Sequence, residues 1–208
     1  MSWRALVALA ALVVTRGRDS SAGGSAVEEL LLPSLVERLE GLTGLEAVRG
    51  DGVLIARLER REPAWVVANR GGYPADTDTV STLLDQLVAA RRIAPKADDP
   101  DGHARLGVAA VGEADARSVA VTLEGVDDGL TLILGEAVAG DVDGRYVRRA
   151  GADRAWHVRP AIDRPDGISD WLDERLIDIA PEAIARVVIN AVDGEPVRVQ
   201  RSDGDDGA

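Results

Sequence analysis

Residues 118–158 read SVAVTLEGVDDGLTLILGEAVAGDVDGRYVRRAGADRAWHV. Four short runs stand out in this stretch: Val119 to Leu123, Leu130 to Leu134, Arg145 to Arg149 and Ala155 to Val158, with Gly and Asp between them. Runs this short make strands rather than stable helices, and turn residues at every break reverse the chain. The stretch therefore predicts an antiparallel meander.

Toward the N-terminus the period changes. Val80, Leu83, Leu84, Leu87 and Val88 form one apolar stripe behind Asp76 and Asp78, whose charge suits a helix start, and Arg91 and Arg92 suit its end. This predicts a helix from about residue 76 to 92. Before it, Val53 to Leu58 and Trp65 to Val67 flank the charged Glu59 to Pro63 segment and predict a hairpin. Leu32, Leu35, Val36, Leu39 and Leu42 predict a short amphipathic helix over Leu30 to Leu42, with Pro33 in its first turn and Gly41 and Gly44 closing it.

Toward the C-terminus, Ser169 caps an expected short helix carrying Trp171, Leu172 and Leu176, and Pro181 opens a further turn. Val187 to Ile189 is expected to pair with Val197 to Val199 across Asp193-Gly194. Ser202 to Ala208 is acidic and glycine-rich and is expected to be a disordered tail. The fold class that follows is α+β, mostly antiparallel sheet with amphipathic helices. An internal similarity adds to it: Arg57 to Val67 and Tyr146 to Val158 each run from an Arg-rich strand through a turn to a Trp strand, then a Pro-containing loop and a helix. Duplicated β-β-α units are therefore expected. The domains predicted are a signal-like or anchor segment with its linker (1–26), a first β-β-α unit (27–110), a second β-rich unit with short helices (111–201) and the tail (202–208).

Composition excludes some mechanisms. A chain of 208 residues buries enough apolar surface for a core without staples, and with Cys absent neither disulfides nor thiolate metal sites contribute. The 36 acidic against 24 basic residues give a net charge of -12, which repels nucleic acid and anionic lipid. Lys96 is the sole lysine in an Ala-, Gly-, Val- and Asp-rich background, a bias of coding rather than of function. Arg4, the apolar run Ala5 to Val14 and the polar Thr15 to Arg18 follow the order of an export signal or short anchor. Ten helical residues span about 15 Å, half of the hydrocarbon core, so a membrane-crossing helix is not expected there. The chain is expected outside the cytoplasm (periplasmic), exported or held at the inner membrane by this segment.

The chain resembles the bacterial family termed domain of unknown function 4340. The resemblance rests on Leu32 to Leu39, on Trp65 to Val67 with Gly72 to Asp76, on Ala104 to Val108, on Gly144 to Arg149 and on Asp170 to Asp173, in that order over roughly residues 30 to 190. It implies membrane-anchored, extracytoplasmic proteins, some linked to an ABC transporter of the gliding-motility auxiliary type, and implies no activity. Two features depart from the family pattern: the short apolar run at the N-terminus, and the end of the chain soon after the Val197 strand, where members continue into a further unit.

Motifs of chemistry are scarce. Gly23 to Val27 fails as a nucleophile elbow, and Gly135 to Gly140 lacks the Lys and Ser/Thr of a phosphate loop, with Asp141-Val142 in their place. His103 is expected in an exposed loop and His157 on a strand, too few for a ligand set. Asp98 to Gly102 and Asp141 to Gly144 lack the leading carboxylate of a calcium loop and are expected to be solvated turns. Pairs such as Asp127-Asp128 or Asp173-Glu174 diverge in space and make poor acid and base partners. No metal, cofactor or catalytic residue is predicted. Trp65, Trp156, Trp171, Tyr73 and Tyr146 are the largest side chains in a chain without Phe, and packing accounts for them. The alternative is an interaction patch of Tyr73, Trp65 and Trp156. The expected function is a non-enzymatic, extracytoplasmic binding or scaffold module with protein partners in a membrane complex, subunits of an ABC transporter among the expected ones. The competing expectation is a hydrolase using carboxylates, which requires a concave pocket joining two or more acids.

Overall fold

The structure is a computed structural model describing residues 29–175, 184–189 and 196–200. The chain divides into two compact units, Met1–Asp173 and Glu174–Ala208. In chain order the first contains β1 (Glu29–Leu30), α1 (Leu35–Arg38), β2 (Gly44–Arg49), β3 (Leu54–Arg61), β4 (Ala64–Val67), β5 (Tyr73–Pro74), α2 (Thr77–Ala89), β6 (Arg91–Pro95) and α3 (Pro100–Leu106). The meander follows as β7 (Val119–Glu124), β8 (Leu130–Val138), β9 (Asp141–Arg149) and β10 (Ala155–Arg159), then a 3-10 turn at Ile168–Trp171.

These ten strands make one sheet, in the order β1-β6-β10-β9-β8-β7-β2-β3-β4-β5, with neighbours antiparallel throughout. The fold is mostly antiparallel sheet with a few short helices. Two meanders, β2-β3-β4 and β7-β8-β9-β10, meet where β2 pairs with β7, Leu45 opposite Leu123. Strands from either side of residue 110 thus share one sheet, because β6 also crosses over to pair with β10. The edges β1 and β5 are two residues each, which limits the exposed backbone available for sheet extension.

Alternation along the strands assigns the faces. Leu45, Ala56, Leu58, Val121, Leu123, Leu132 and Leu134 join Val80, Leu83, Leu84 and Leu87 of α2 in one core. The predicted helical stripe is the surface that seals this face of the sheet. Burial of each such Leu or Val contributes about 1.5–3 kcal/mol before chain entropy is charged against it. On the opposite face a smaller cluster of Val108, Ile133 and Ala155 packs with Leu106. Gly135 of β8 permits this: a Cβ there would lie 2.5 Å from the Leu106 carbonyl oxygen and 2.6 Å from Val108 Cγ1.

Four expectations change. The helix over Leu30 to Leu42 contracts to α1 plus a 3-10 turn, Leu39–Gly41, because Glu29 and Leu30 are drawn into the sheet opposite Arg92 and Arg91. Arg91 and Arg92 are not the last turn of α2; Ala90 turns extended and both arginines open β6. The segment around His103 is helical, not a loop: Asp99 Oδ1 accepts from Gly102 N at 2.8 Å, Pro100 begins α3, and Gly107 ends it at φ +67. Those caps are legible in the sequence, where the acids had drawn attention to calcium instead. The expected helix at Ser169 is a single 3-10 turn, and its continuation at Leu176 lies outside the described residues, as do Pro181, Asp193-Gly194, the N-terminal segment and the tail.

The second unit contains an antiparallel pair, β11 (Arg186–Ile189) and β12 (Val197–Gln200), with Val187 opposite Val199 and Ile189 opposite Val197. Those four residues share one face, and all are exposed.

Candidate functional site

Asp76 fixes one wall of a cleft in the first unit. Its carboxylate accepts from the backbone N–H groups of Asp78 at 2.9 Å and Thr79 at 3.0 Å, so α2 starts at a defined residue. Asp78 and Thr82, and likewise Thr79 and Leu83, are four residues apart and point to the same side of α2. The facing wall is Asp163, Arg164 and Pro165, with Asp170 and Trp171 from the 3-10 turn. The space enclosed is about 280 Å³.

Polar contacts hold the walls together. Gln86 Nε2 donates to Asp163 Oδ2 at 2.8 Å and Gln86 Oε1 accepts from Asp163 N at 2.7 Å, tying α2 to the loop. Asp170 Oδ2 accepts from the N–H groups of Asp166 and Gly167 at 3.0 and 3.1 Å and shapes the turn. Asp76 N donates to the Trp171 carbonyl at 2.9 Å, Ala75 bridges Leu172, and Asp173 N donates to the Pro74 carbonyl at 3.1 Å. Tyr73 Oη adds a bond to the Asp173 carbonyl at 3.2 Å. Residues 73–76 and 171–173 thus lie side by side and frame the cleft.

Its lining carries three carboxylates and one guanidinium, and the Arg145 guanidinium lies within electrostatic reach of Asp163. Asp78, Asp163 and Asp170 line the cleft, and none has an ion-pair partner among the described residues. Arg164, the lining cation, is turned to Glu136 at 3.8 Å and Asp166 at 3.6 Å, and donates to the Arg117 carbonyl. Trp171 is only 2% exposed, and its indole N–H has no acceptor.

A second polar cluster lies at the start of β9, outside the residues that line the cleft. Asp141 Oδ2 accepts from Arg159 Nε at 2.6 Å and is bonded to His157 Nε2 at 2.7 Å. The Arg159 guanidinium first, and His157 after it, hold the Asp141 carboxyl below the usual carboxylate range, against the opposing effect of burial. Asp141 is therefore not part of a solvated turn, as expected from sequence; its side chain is largely buried. Gly144 makes room, since a Cβ there would lie 2.5 Å from Asp141 Oδ2 and 2.7 Å from His157 Nε2. His103 is also buried rather than exposed, donating from Nε2 to the Asp153 carbonyl at 2.6 Å. The other acidic segment is structural: Asp99 caps α3, and Asp98 pairs with Arg154 at 2.5 Å.

The aromatic residues do not converge. Trp65 is buried in the core on β4, Tyr73 is half-buried on β5, and Trp156 on β10 lies across the sheet from both, beneath the Arg92 guanidinium at 5.0 Å. Sequence missed Asp163 and Asp170 as site residues, because the loop that carries them gains meaning only from its contact with α2. Among the described residues no group of three His, Cys, Asp or Glu side chains could hold a metal ion, and no helix is long and apolar enough to cross a membrane.

The family described as domain of unknown function (DUF4340) matches residues 65–207. The chain belongs to this family. No curated protein and no solved structure matches the chain. The DUF4340 match contains every residue that lines the cleft and begins at Trp65 of β4, after β1 to β3. Two of the segments that carried the resemblance, Gly72 to Asp76 and Asp170 to Asp173, are the pair that frames the cleft in this DUF4340 chain.

Proposed function

We propose that this chain is a non-enzymatic, extracytoplasmic binding or scaffold module, accessory to a membrane transport complex of the ABC type, and that the cleft at the N-terminus of α2 is its recognition site. The observation that carries the reading is the cleft itself, a recess of about 280 Å³ whose three carboxylates have no ion-pair partner among the described residues. Carboxylates without an ion-pair partner in a recess favour a complementary partner. The export-like order at Arg4 to Arg18 and the family resemblance to extracytoplasmic, transporter-linked proteins support the location and the class of partner. Under the same reading the Trp65 and Trp156 hairpins, β3-β4 and β9-β10, are copies of one β-β-α unit, the first leading to α2 and the second to the 3-10 turn at Trp171.

Affinity capture of the tagged full-length chain from membranes tests the module. Transporter subunits should be recovered with it, and recovery of the native protein wholly from the cytosol would overturn the reading. A second reading, a carboxylate-dependent hydrolase, is favoured by the presence of Asp78, Asp163 and Asp170 in one recess. It requires turnover of an ester, glycoside or phosphoester substrate that is abolished by Asp163→Asn with the fold intact.

A further inference from the structure

The second unit carries a surface of another kind. Five of the nine large apolar side chains exposed among the described residues lie on β11 and β12: Val187, Val188, Ile189, Val197 and Val199. Scattered singly such residues are ordinary, but gathered on two adjacent strands they mark an interaction surface. The pairing of Val187 with Val199 and of Ile189 with Val197 puts four of the five on one face, and Arg186, Val188, Arg198 and Gln200 on the other. Among the described residues each strand pairs on one side only, so alternate backbone N–H and C=O groups point outward along both edges.

The two edges differ in what they permit. A second copy of the same strand, turned about a two-fold axis normal to the sheet, pairs antiparallel with the apolar faces on the same side. On β11 the register centred on Val188 sets Val187 opposite Ile189 of the second copy, Val188 opposite its own copy and Ile189 opposite Val187. These are three pairs of β-branched apolar side chains with no charge among them. The equivalent register on β12, centred on Arg198, sets one guanidinium against another, and a charged residue at mid-strand guards an edge. Pairing β11 with β12 of another copy would add chains without end, whereas β11 with itself closes at two.

We propose that the chain self-associates through β11, two copies forming a four-stranded antiparallel sheet in the order β12-β11-β11-β12. Two strands alone are marginal in water, and four with an apolar face are not. In that sheet each Val187 and Ile189 is flanked on both sides, and the apolar faces of the two copies become continuous.

The full-length chain contains no Cys, so single-cysteine variants report on it cleanly. Val188→Cys stands on the two-fold axis and should form a disulfide-linked dimer on mild oxidation with copper phenanthroline, its Cα atoms within the roughly 4.4–6.8 Å that a disulfide spans. Val199→Cys, on the outer strand, and Val142→Cys, fully exposed on the β8-β9 hairpin, should stay monomeric. Sedimentation equilibrium of the full-length chain from about 1 μM to about 1 mM should show a monomer–dimer equilibrium. Val188→Glu should weaken it about tenfold or more, since two carboxylates then oppose each other across the axis while each faces Arg198 within its own pair and keeps β11 on β12. Exchange protection of peptides covering 184–200 should rise with concentration over the same range. A chain monomeric throughout, cross-linking at Val199→Cys or Val142→Cys equal to that at Val188→Cys, a dimer indifferent to Val188→Glu, or species that grow beyond two would each overturn the proposal. A monomer whose 184–200 peptides are as protected as 119–149 would give the face to another occupant and overturn it equally.

Discussion

Asp141 illustrates how one carboxylate couples local geometry to pH. Its folded value lies below that of the unfolded chain because Arg159 and His157 bond to the ionised form. Unfolding therefore takes up a proton in acid, and the stabilisation is complete above the unfolded value of about 3.9 and vanishes as pH falls through the folded one. The stability difference between the native protein and Asp141→Asn, from urea unfolding midpoints, should be widest above about pH 5 and shrink below about pH 4. A gap that widens in acid would contradict the sign. Gly144→Ala attacks the same contact by volume. Its Cβ would stand 2.5 Å from Asp141 Oδ2, inside any permitted distance. A loss on the order of 1–3 kcal/mol is expected in the same unfolding assay.

At the scale of elements, α2 is where cap, stripe and site coincide. Asp76→Ala removes the acceptor for two backbone N–H groups and should cost about 1 kcal/mol, seen as a melting temperature about 2–4 °C lower. The same variant loosens the residues that position Asp78 and Thr79, so it should also weaken the cleft's ligand; an unchanged melting temperature would show that the cap is not formed. Leu87→Ala tests the packing face instead. This residue is fully buried in the main core, and the expected loss is about 2–5 kcal/mol in chemical denaturation. The register of α2 was legible because its stripe and its capping Asp agree. Its end was not, since Arg91 and Arg92 satisfy a helix dipole and a strand equally well, and the pairing of β6 with β10 decides between them.

Across the whole molecule, the units differ in what protects their backbone. Strands β7, β8 and β9 lie inside the ten-stranded sheet and are paired on both sides, whereas among the described residues β11 and β12 pair only with each other and expose Val187, Ile189, Val197 and Val199. A lone two-stranded pair is marginal in water. Hydrogen exchange followed by mass spectrometry should therefore show peptides covering 184–200 exchanging faster than those covering 119–149. Equal protection would mean that the pair is covered in solution.

The meander, the stripe of α2, the hairpin at Trp65 and the pairing of Val187 with Val199 were set by the sequence alone, because period, turn residues and caps act within a few residues of where they are written. Tertiary structure decided the rest: the joining of two meanders through β2 and β7, the burial of Asp141 with His157, and the meeting of Asp78 with Asp163 and Asp170 across a cleft. Each of those depends on residues many positions apart, and a carboxylate on a loop looks the same in sequence whether it faces water, a histidine or a partner. Only the packing that surrounds it settles which.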